Sequence, residues 1–337
     1  MRFDATSPLM PAQPGVCVVI AAYNGERSIA RAIASALRES EVREVVVVDD
    51  ASTDATVARA VDADDGSGRL SILRHDRNQG PSAARNFALR SSTAELIAIL
   101  DADDFLVPGR FGRLLAISDW DMVADNIAFL PEDRAQEFAF ADLRVFPANS
   151  RLMGLGDFVA GNIPRPGVRR GELGFLKPVI RRDFLARNGL SYDEGLRLGE
   201  DFILYAEALA AGARFRLIDA CGYVAVERAG SLSGLHRTTD LAALAGAHGH
   251  LLRPSLTSEA DRALIEHHLA HVRRKLHHRD FLDRKHGKGL SRAISDYASR
   301  PAALWRIAQD IARDKLGRRD KERVGREAER GLRYLFG

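Results

Sequence analysis

Acidic residues at three places in the chain have the spacing that chemistry on an anionic substrate requires. Asp101-Ala102-Asp103 follows an apolar run. Residues two apart at a strand end point the same way, so both carboxylates reach one hard divalent cation. Mg2+ takes few carboxylates and completes its shell with phosphate oxygens, and Mn2+ accepts similar ligands. A lone D-x-D is common in surface loops, so this one gains meaning only from its company. Asp50, after another apolar run, either caps the next turn or accepts hydrogen bonds from a base N–H or ribose hydroxyl. Glu200-Asp201 opens a helix, where acidic residues complement the dipole or supply a general base for a substrate hydroxyl. Tyr23 offers a ring for stacking, and Arg85 a planar donor fork for a base carbonyl or phosphate. His236, in the loop Ser231–His236, is a candidate third metal ligand or phosphate contact. Packing explains a loop tyrosine equally well, and an exposed helix arginine or a lone loop histidine needs no function.

The elements that must hold these residues are legible from two alternating periodicities. Val16–Ala21, Glu44–Val48, Ser71–Arg74, Glu95–Leu100 and Asp121–Phe129 read as strands, several of them as unbroken apolar runs covered on both faces. Between them, Ile29–Arg38, a helix capped by Ser52 or Thr53, Ser82–Leu89 behind Gly80-Pro81, and a helix from Pro108 supply the crossovers. Such alternation predicts an α/β architecture with a mostly parallel sheet. Ligands bind beyond the carboxyl ends of its strands, which is where Ala22-Tyr23-Asn24, Asp49-Asp50 and Asp101–Asp104 fall. Further on, Arg151–Ala160 reads as helical, Phe175–Gly189 as strand and helix, Gly199–Ala211 as helix, and Arg214–Ile218 and Tyr223–Val226 as strands. From residue 240 the pattern is helices only. The expected division is a catalytic domain over 15–240 and a basic helical extension over 241–337.

At 337 residues, 46% hydrophobic and 28% charged, the chain has the composition of a soluble globular protein with a sizeable core. No apolar run approaches the eighteen residues of a membrane span, and the N-terminus lacks the apolar segment of a secretory signal. Only Cys17 and Cys221 are present, which argues against a disulfide framework and for the cytoplasm. The net charge of +3 hides an asymmetry: residues 271–337 carry nineteen Lys/Arg against nine Asp/Glu. A basic tail behind an acidic body suits an anionic surface, or is simply a solvated helical face.

Five ordered motifs together resemble the family-2 glycosyltransferases of the GT-A fold. They are Val18-Val19-Ile20-Ala21-Ala22-Tyr23-Asn24, Val48-Asp49-Asp50-Ala51-Ser52-Thr53-Asp54, Asn78-Gln79-Gly80-Pro81-Ser82-Ala83-Ala84-Arg85-Asn86, Leu100-Asp101-Ala102-Asp103-Asp104 and Glu200-Asp201. The resemblance spans roughly residues 15–240. It implies an inverting transfer from a nucleotide-sugar donor with Mg2+ or Mn2+, in one in-line displacement. Ala22, Tyr23, Asn24, Asp50, Arg85, Asp101, Ala102 and Asp103 would hold the nucleotide, and Asp103 with Asp101 and His236 the metal. Asp201 would be the base and Glu200 its helper, while Arg228, Ser231, Ser233 and His236 would sit in a loop that closes over the diphosphate. Ala51 stands where a glycine is common in the family.

The stretches from Gly171 to Arg182 and from Ser231 to Arg237 are similar to bacterial succinoglycan-type exopolysaccharide glucosyltransferases. That similarity implies UDP-glucose as donor and a lipid-pyrophosphate-linked oligosaccharide as acceptor, at the cytoplasmic face of the inner membrane. The stripe Leu304, Ile307, Ala308, Ile311, Ala312 and Leu316, with Trp305 beside it and basic residues around it, would then lie on anionic lipid or pack on protein.

Rival readings fit less well. A sugar-nucleotide pyrophosphorylase needs a Gly-rich loop with Arg and Lys where Ala22–Arg27 stands, and an NAD-dependent enzyme needs G-x-G-x-x-G there. A non-catalytic sugar-nucleotide-binding or scaffold protein would be favoured by loss of Asp101, Asp103 or Asp201, all of which are present. Nucleic-acid binding is not expected, since the few aromatics of the tail are not grouped for stacking.

Overall fold

The computed structural model describes residues 14–311, except 136, 148, 164–171, 228–236 and 254–255, together with 332–336. Its first half is the expected alternation. Strand β1 (Val16–Ala22) leads to α1 (Ile29–Leu37), β2 (Val42–Asp49), α2 (Thr56–Asp62), β3 (Leu70–Arg74), α3 (Pro81–Ser91) and β4 (Leu96–Ile99). Val16–Ile20, Val45–Val48 and Leu96–Leu100 are all buried, because helices cover both faces of this part of the sheet. Helix α1 buries Ile29, Ala32, Ile33, Ala36 and Leu37, the spacing of a single helical face. Helix α3 begins with Pro81 in its first turn behind Gly80 at φ 95°, a left-handed conformation that suits glycine.

Beyond β4 the sheet becomes mixed. Strand β5 (Phe105–Leu106), α4 (Arg110–Leu115), β6 (Met122–Pro131), β7 (Ser150–Met153), α5 (Leu155–Gly161), β8 (Val179–Arg181), α6 (Arg182–Arg187), α7 (Glu200–Ala210) and β9 (Phe215–Glu227) follow. The strand order is β3-β2-β1-β4-β8-β6-β9-β5, with β7 on β9. Pairs β1–β2, β2–β3, β1–β4 and β6–β9 are parallel, whereas β8 runs antiparallel to both β4 and β6. That reversal matters for the site: the start of β8 lies beside the carboxyl end of β4. Residues 151–153, expected to be helical, belong to β7 and pair with β9 as an edge strand, and the two strands expected over 214–226 are one continuous β9.

The C-terminal third is α8 (Thr238–Leu251), α9 (Glu259–Lys288), α10 (Leu290–Asp296), a helix over 301–311, and β10 (Arg333–Tyr334). Ser258 caps α9, its hydroxyl accepting from the Asp261 amide at 3.1 Å. Leu241, Leu244, Leu251, Ile265 and Val272 join the same core as the β-strands, so α8 and α9 are packed on the sheet layer rather than apart from it. The expectation of helices only does not hold at residues 333–334, which pair antiparallel with β6. The tail's apolar stripe faces protein over its described part except at Ala308, which is exposed: Ile307 is buried with Phe281, Ala293 and Tyr297, and Leu304 and Ile311 pack against them. Ala312 and Leu316 lie outside the described residues, and Trp305 is exposed.

Candidate active site

The loops after β1 and β2 are laced together. The Asn24 amide donates to Ser52 Oγ at 2.9 Å, Asn24 Oδ1 accepts from the Thr53 amide at 2.9 Å, and the Gly25 amide donates to Thr56 Oγ1 at 2.8 Å. Ser52 and Thr53 therefore join two loops and do not cap α2, which begins at Thr56. Asn24 and Ala51 both take left-handed φ, at 51° and 63°. Asparagine tolerates this; alanine does so at a cost, which explains why glycine suits position 51. Ala22 accepts the Asp50 amide through its carbonyl at 2.8 Å, leaving Tyr23 half exposed at the rim.

Asp50 is buried, and its carboxylate gathers the loop ahead of α3. Oδ1 lies 2.8 Å from His75 Nδ1 and accepts the Gln79 amide at 2.8 Å, while Oδ2 accepts the Gly80 amide at 2.8 Å. Three of roughly four lone-pair positions are thus taken by protein donors. Positioning this loop is the first thing Asp50 does, and one acceptor position on Oδ2 is left over.

The densest electrostatics lie where β4, α3, α7 and the start of β8 meet. Arg85 Nη1 donates to Glu200 Oε1 at 2.8 Å and to Asp201 Oδ1 at 3.0 Å, and Nη2 donates to Asp101 Oδ1 at 3.0 Å. On the opposite side, Lys177 Nζ lies 2.9 Å from Asp101 Oδ2 and 2.8 Å from Asp201 Oδ2. Two buried cations therefore clamp the same two carboxylates, one on each oxygen. Burial works against Arg85 and Lys177, but the surrounding carboxylates outweigh it and raise both cations. Burial alone would raise Asp101 as well; Lys177 and then Arg85 overcome it and bring its carboxyl down to about 2. Glu200 is instead raised by burial, which Arg85 offsets only in part. The phenols of Tyr192 and Tyr205, beneath this cluster, are pushed well above their usual range by burial.

Asp104, next to the pair, is turned inward. Its Oδ2 accepts from Tyr223 Oη at 2.7 Å and its Oδ1 from the Val226 amide at 2.8 Å, and the same Tyr223 oxygen accepts the Asp101 amide at 3.1 Å. Burial, with the charges of Asp103 and Asp101, pushes its carboxyl well above the usual range. Asp103 is half buried, and its carbonyl accepts Arg31 Nη2 at 3.2 Å.

Ala22, Tyr23, Asn24, Asp50, Arg85, Asp101, Ala102, Asp103, Glu200 and Asp201 thus line strand ends or the helix start that faces them. In the structure the two terminal nitrogens of the Arg85 fork meet three carboxylates, Glu200, Asp201 and Asp101. Arg228, Ser231, Ser233 and His236 lie outside the described residues. Lys177 was not anticipated as a site residue. Its one sequence signal is a lone cation flanked by Leu176, Pro178, Val179 and Ile180, an environment that leaves no reason for a lysine unless it has buried partners. Among the described residues no three His, Cys, Asp or Glu side chains stand together as a complete metal cage. Both Asp101 oxygens already meet a buried cation, so a hard cation here would share Asp101 with Arg85 and Lys177 and draw its other oxygens from Asp103 and a phosphate substrate.

Known proteins share both sequence and fold. The family model described as "Glycosyl transferase family 2" matches residues 17–152. Succinoglycan biosynthesis protein ExoU of Rhizobium meliloti is 51% identical over 305 residues, covering 90% of this chain and 88% of that one. Succinoglycan biosynthesis protein ExoO of the same organism is 33% identical over 313 residues, with 90% and 87% covered. The crystal structure of S. aureus TarS in complex with UDP-GlcNAc superposes with a TM-score of 0.56 at 18% identity, covering 92% of each chain. That likeness carries the fold, and the identity to ExoU and ExoO carries the family: this chain belongs to glycosyltransferase family 2, an enzyme built on the GT-A fold.

Proposed function

We propose that the enzyme is an inverting, metal-dependent glucosyltransferase that carries glucose from UDP-glucose to a hydroxyl of a lipid-pyrophosphate-linked oligosaccharide in exopolysaccharide assembly. The observation that carries this reading is the double clamp of Arg85 and Lys177 on Asp101 and Asp201, which holds a β4 carboxylate and an α7 carboxylate at one spot. The likeness to ExoU and ExoO over most of the chain supports succinoglycan-type assembly as the setting.

Nucleotide binding falls to Tyr23, which stacks on the base, and to Ala22, Asn24, Asp50 and Ala102 around it. Asp103 and Asp101 would hold Mg2+ or Mn2+, with His236 added on the family resemblance, and the bound cation would supply charge neutralisation at the diphosphate. Asp201 accepts the proton of the acceptor hydroxyl, using a lone pair not spent on Arg85 or Lys177. The freed oxygen bonds to the anomeric carbon as the bond from that carbon to the diphosphate oxygen breaks, and the electron pair leaves with UDP. One displacement inverts the centre. Arg85 keeps Glu200 and Asp201 in register through the step.

Residues 15–240 form the catalytic part in this reading, and 241–337 the extension. The basic tail places the enzyme against anionic lipid on the cytoplasmic side, with Trp305 rather than the Leu304–Ile311 stripe at the surface. Among the described residues no helix is long and apolar enough to cross a membrane.

Thermal shift with UDP, UDP-glucose, GDP and dTDP, each with and without Mn2+ or Mg2+, tests the donor. Metal-dependent stabilisation by UDP and UDP-glucose alone is expected; a larger response to another nucleotide overturns the donor. Asp103→Ala should lose the metal-dependent part of UDP binding, and Asp201→Asn should keep UDP binding but lose transfer. A fully active Asp201→Asn enzyme refutes the base.

A further inference from the structure

Beneath the carboxylate cluster lies a second ion pair that touches neither donor nor acceptor in the proposed reaction. Arg110, the first residue of α4, and Asp125, in the middle of β6, are both fully buried. Arg110 Nε donates to Asp125 Oδ1 and Oδ2 at 3.0 and 3.2 Å, and Nη2 donates to Oδ1 at 2.8 Å. The same Nη2 also donates to the carbonyl oxygen of Lys177 at 2.5 Å. The guanidinium stands 5.4 Å from the centre of the Tyr223 ring.

Three features say that this pair does more than fill the core. Burying both charges is costly, and an apolar pair of similar volume is often as stable or more so. Arg110 Nη1 has no hydrogen-bond partner among the described residues, a further cost that a purely structural pair would have no reason to carry. Gly222 makes room for it: a Cβ there would stand 1.9 Å from Asp125 Oδ2 and 2.6 Å from Arg110 Cγ. What the arrangement achieves is local. It fixes the backbone of Lys177, whose ammonium spans Asp101 and Asp201, and it supports the ring of Tyr223, whose hydroxyl holds Asp104 and the Asp101 amide.

We infer that Arg110 and Asp125 are positioning residues for sugar transfer, acting through Lys177 and Tyr223 to set Asp101 and Asp201 relative to each other. This rests on the assignment of Asp201 as the base. Misplacement of about 1 Å in a reacting group costs about 10²-fold in rate, so a buried anchor one residue away is well placed to matter.

The test uses the full chain and the variants R110K, R110M, R110M/D125L, K177M, R110M/K177M and D201N. R110K keeps a charge against Asp125 but lacks the fork that reaches the Lys177 carbonyl, and R110M/D125L removes both charges so that stability is kept. The first readout is acylation of Lys177 by an amine reagent, followed by peptide mass spectrometry. Buried Cys17 and Cys221 serve as thiol-labelling controls for general unfolding. The second is UDP release from UDP-glucose with Mn2+ and glycan-bearing membrane lipid.

In R110K and R110M/D125L, Lys177 should label faster than in the parent while both cysteines stay protected. Their kcat should fall by about 10²-fold, with KM for UDP-glucose within about threefold. R110M/K177M should be slower than K177M by less than the factor that R110M alone costs, the non-additivity of residues acting through one another. Parent-like Lys177 labelling in R110K and R110M/D125L, or losses that multiply in R110M/K177M, overturns the inference. An active D201N with accelerated Lys177 labelling in R110K would instead remove the base assignment and leave the positioning of Lys177 standing.

Discussion

Replacing Lys177 with methionine removes one arm of the clamp while preserving most of the side-chain volume. Breaking a buried ion pair from one side costs about 3–5 kcal/mol, because a charge is left without its partner. Two features of the site lower that figure. Asp101 is 34% exposed on its side chain, so water screens part of its loss. Arg85 also keeps its hold on Oδ1 of both Asp101 and Asp201. A loss of about 2.5 kcal/mol at pH 7 follows, which an m-value of about 3 kcal/mol/M turns into a urea midpoint lower by ~0.8 M.

The pH dependence has a definite sign. Asp101 sits at about 2 in the folded protein, below its unfolded value of about 3.9. Its contribution is therefore complete above pH ~4 and is lost as pH falls toward 2. Without Lys177 the Asp101 carboxyl rises toward its unfolded value, so the deficit of Lys177→Met should be full at pH 7 and smaller at pH 3. Transfer should fall with stability, since Asp201 loses the cation on Oδ2. Urea denaturation of both proteins at the two pH values, with UDP release measured alongside, checks this. A midpoint within about 0.2 M of the parent at pH 7, or a deficit that grows as pH falls, refutes the reasoning.

Other substitutions probe the rest of the frame. Ala51→Gly should stabilise by about 0.5–1 kcal/mol: it relieves a left-handed alanine at 1–2 kcal/mol and returns part as unfolded-state entropy. Calorimetry should find the melting temperature about 2 °C higher. Gly222→Ala drives a methyl into Asp125 and should cost more than about 3 kcal/mol, read as loss of soluble protein or a collapsed urea midpoint. His248 Nε2 and His268 Nδ1 lie 2.8 Å apart, and burial lowers both, His268 to about 3. A histidine depressed in the folded state is stabilising above its unfolded value near 6.5 and loses that contribution as pH falls toward 3. Stability should therefore drop by about 2 kcal/mol between pH 7 and 5, and His268→Gln should flatten that decline.

The sequence by itself determined the alternating half of the sheet and the strand ends at which the candidate site residues gather. Unbroken apolar runs at Val16, Val45 and Leu96 specify strands covered on both faces, and Gly80-Pro81 specifies a helix start; these are local signals. Placing Tyr23, Asp50 and Asp101 together needed only the rule that ligands sit at the ends of parallel strands. The tertiary structure alone decided what each side chain holds. Arg85 meets Asp201 across a separation of 116 residues and Lys177 meets Asp201 across 24, contacts that no periodicity encodes. Lys177 enters because β8 runs antiparallel to β4, which brings the beginning of one strand beside the end of the other. The same holds for the tail: an amphipathic stripe records that one face is apolar, whereas only packing against Phe281, Ala293 and Tyr297 decides that protein covers it. Local patterns fix an element and its faces; the partner of a buried charge or an apolar face is fixed by which distant segment the fold brings to it.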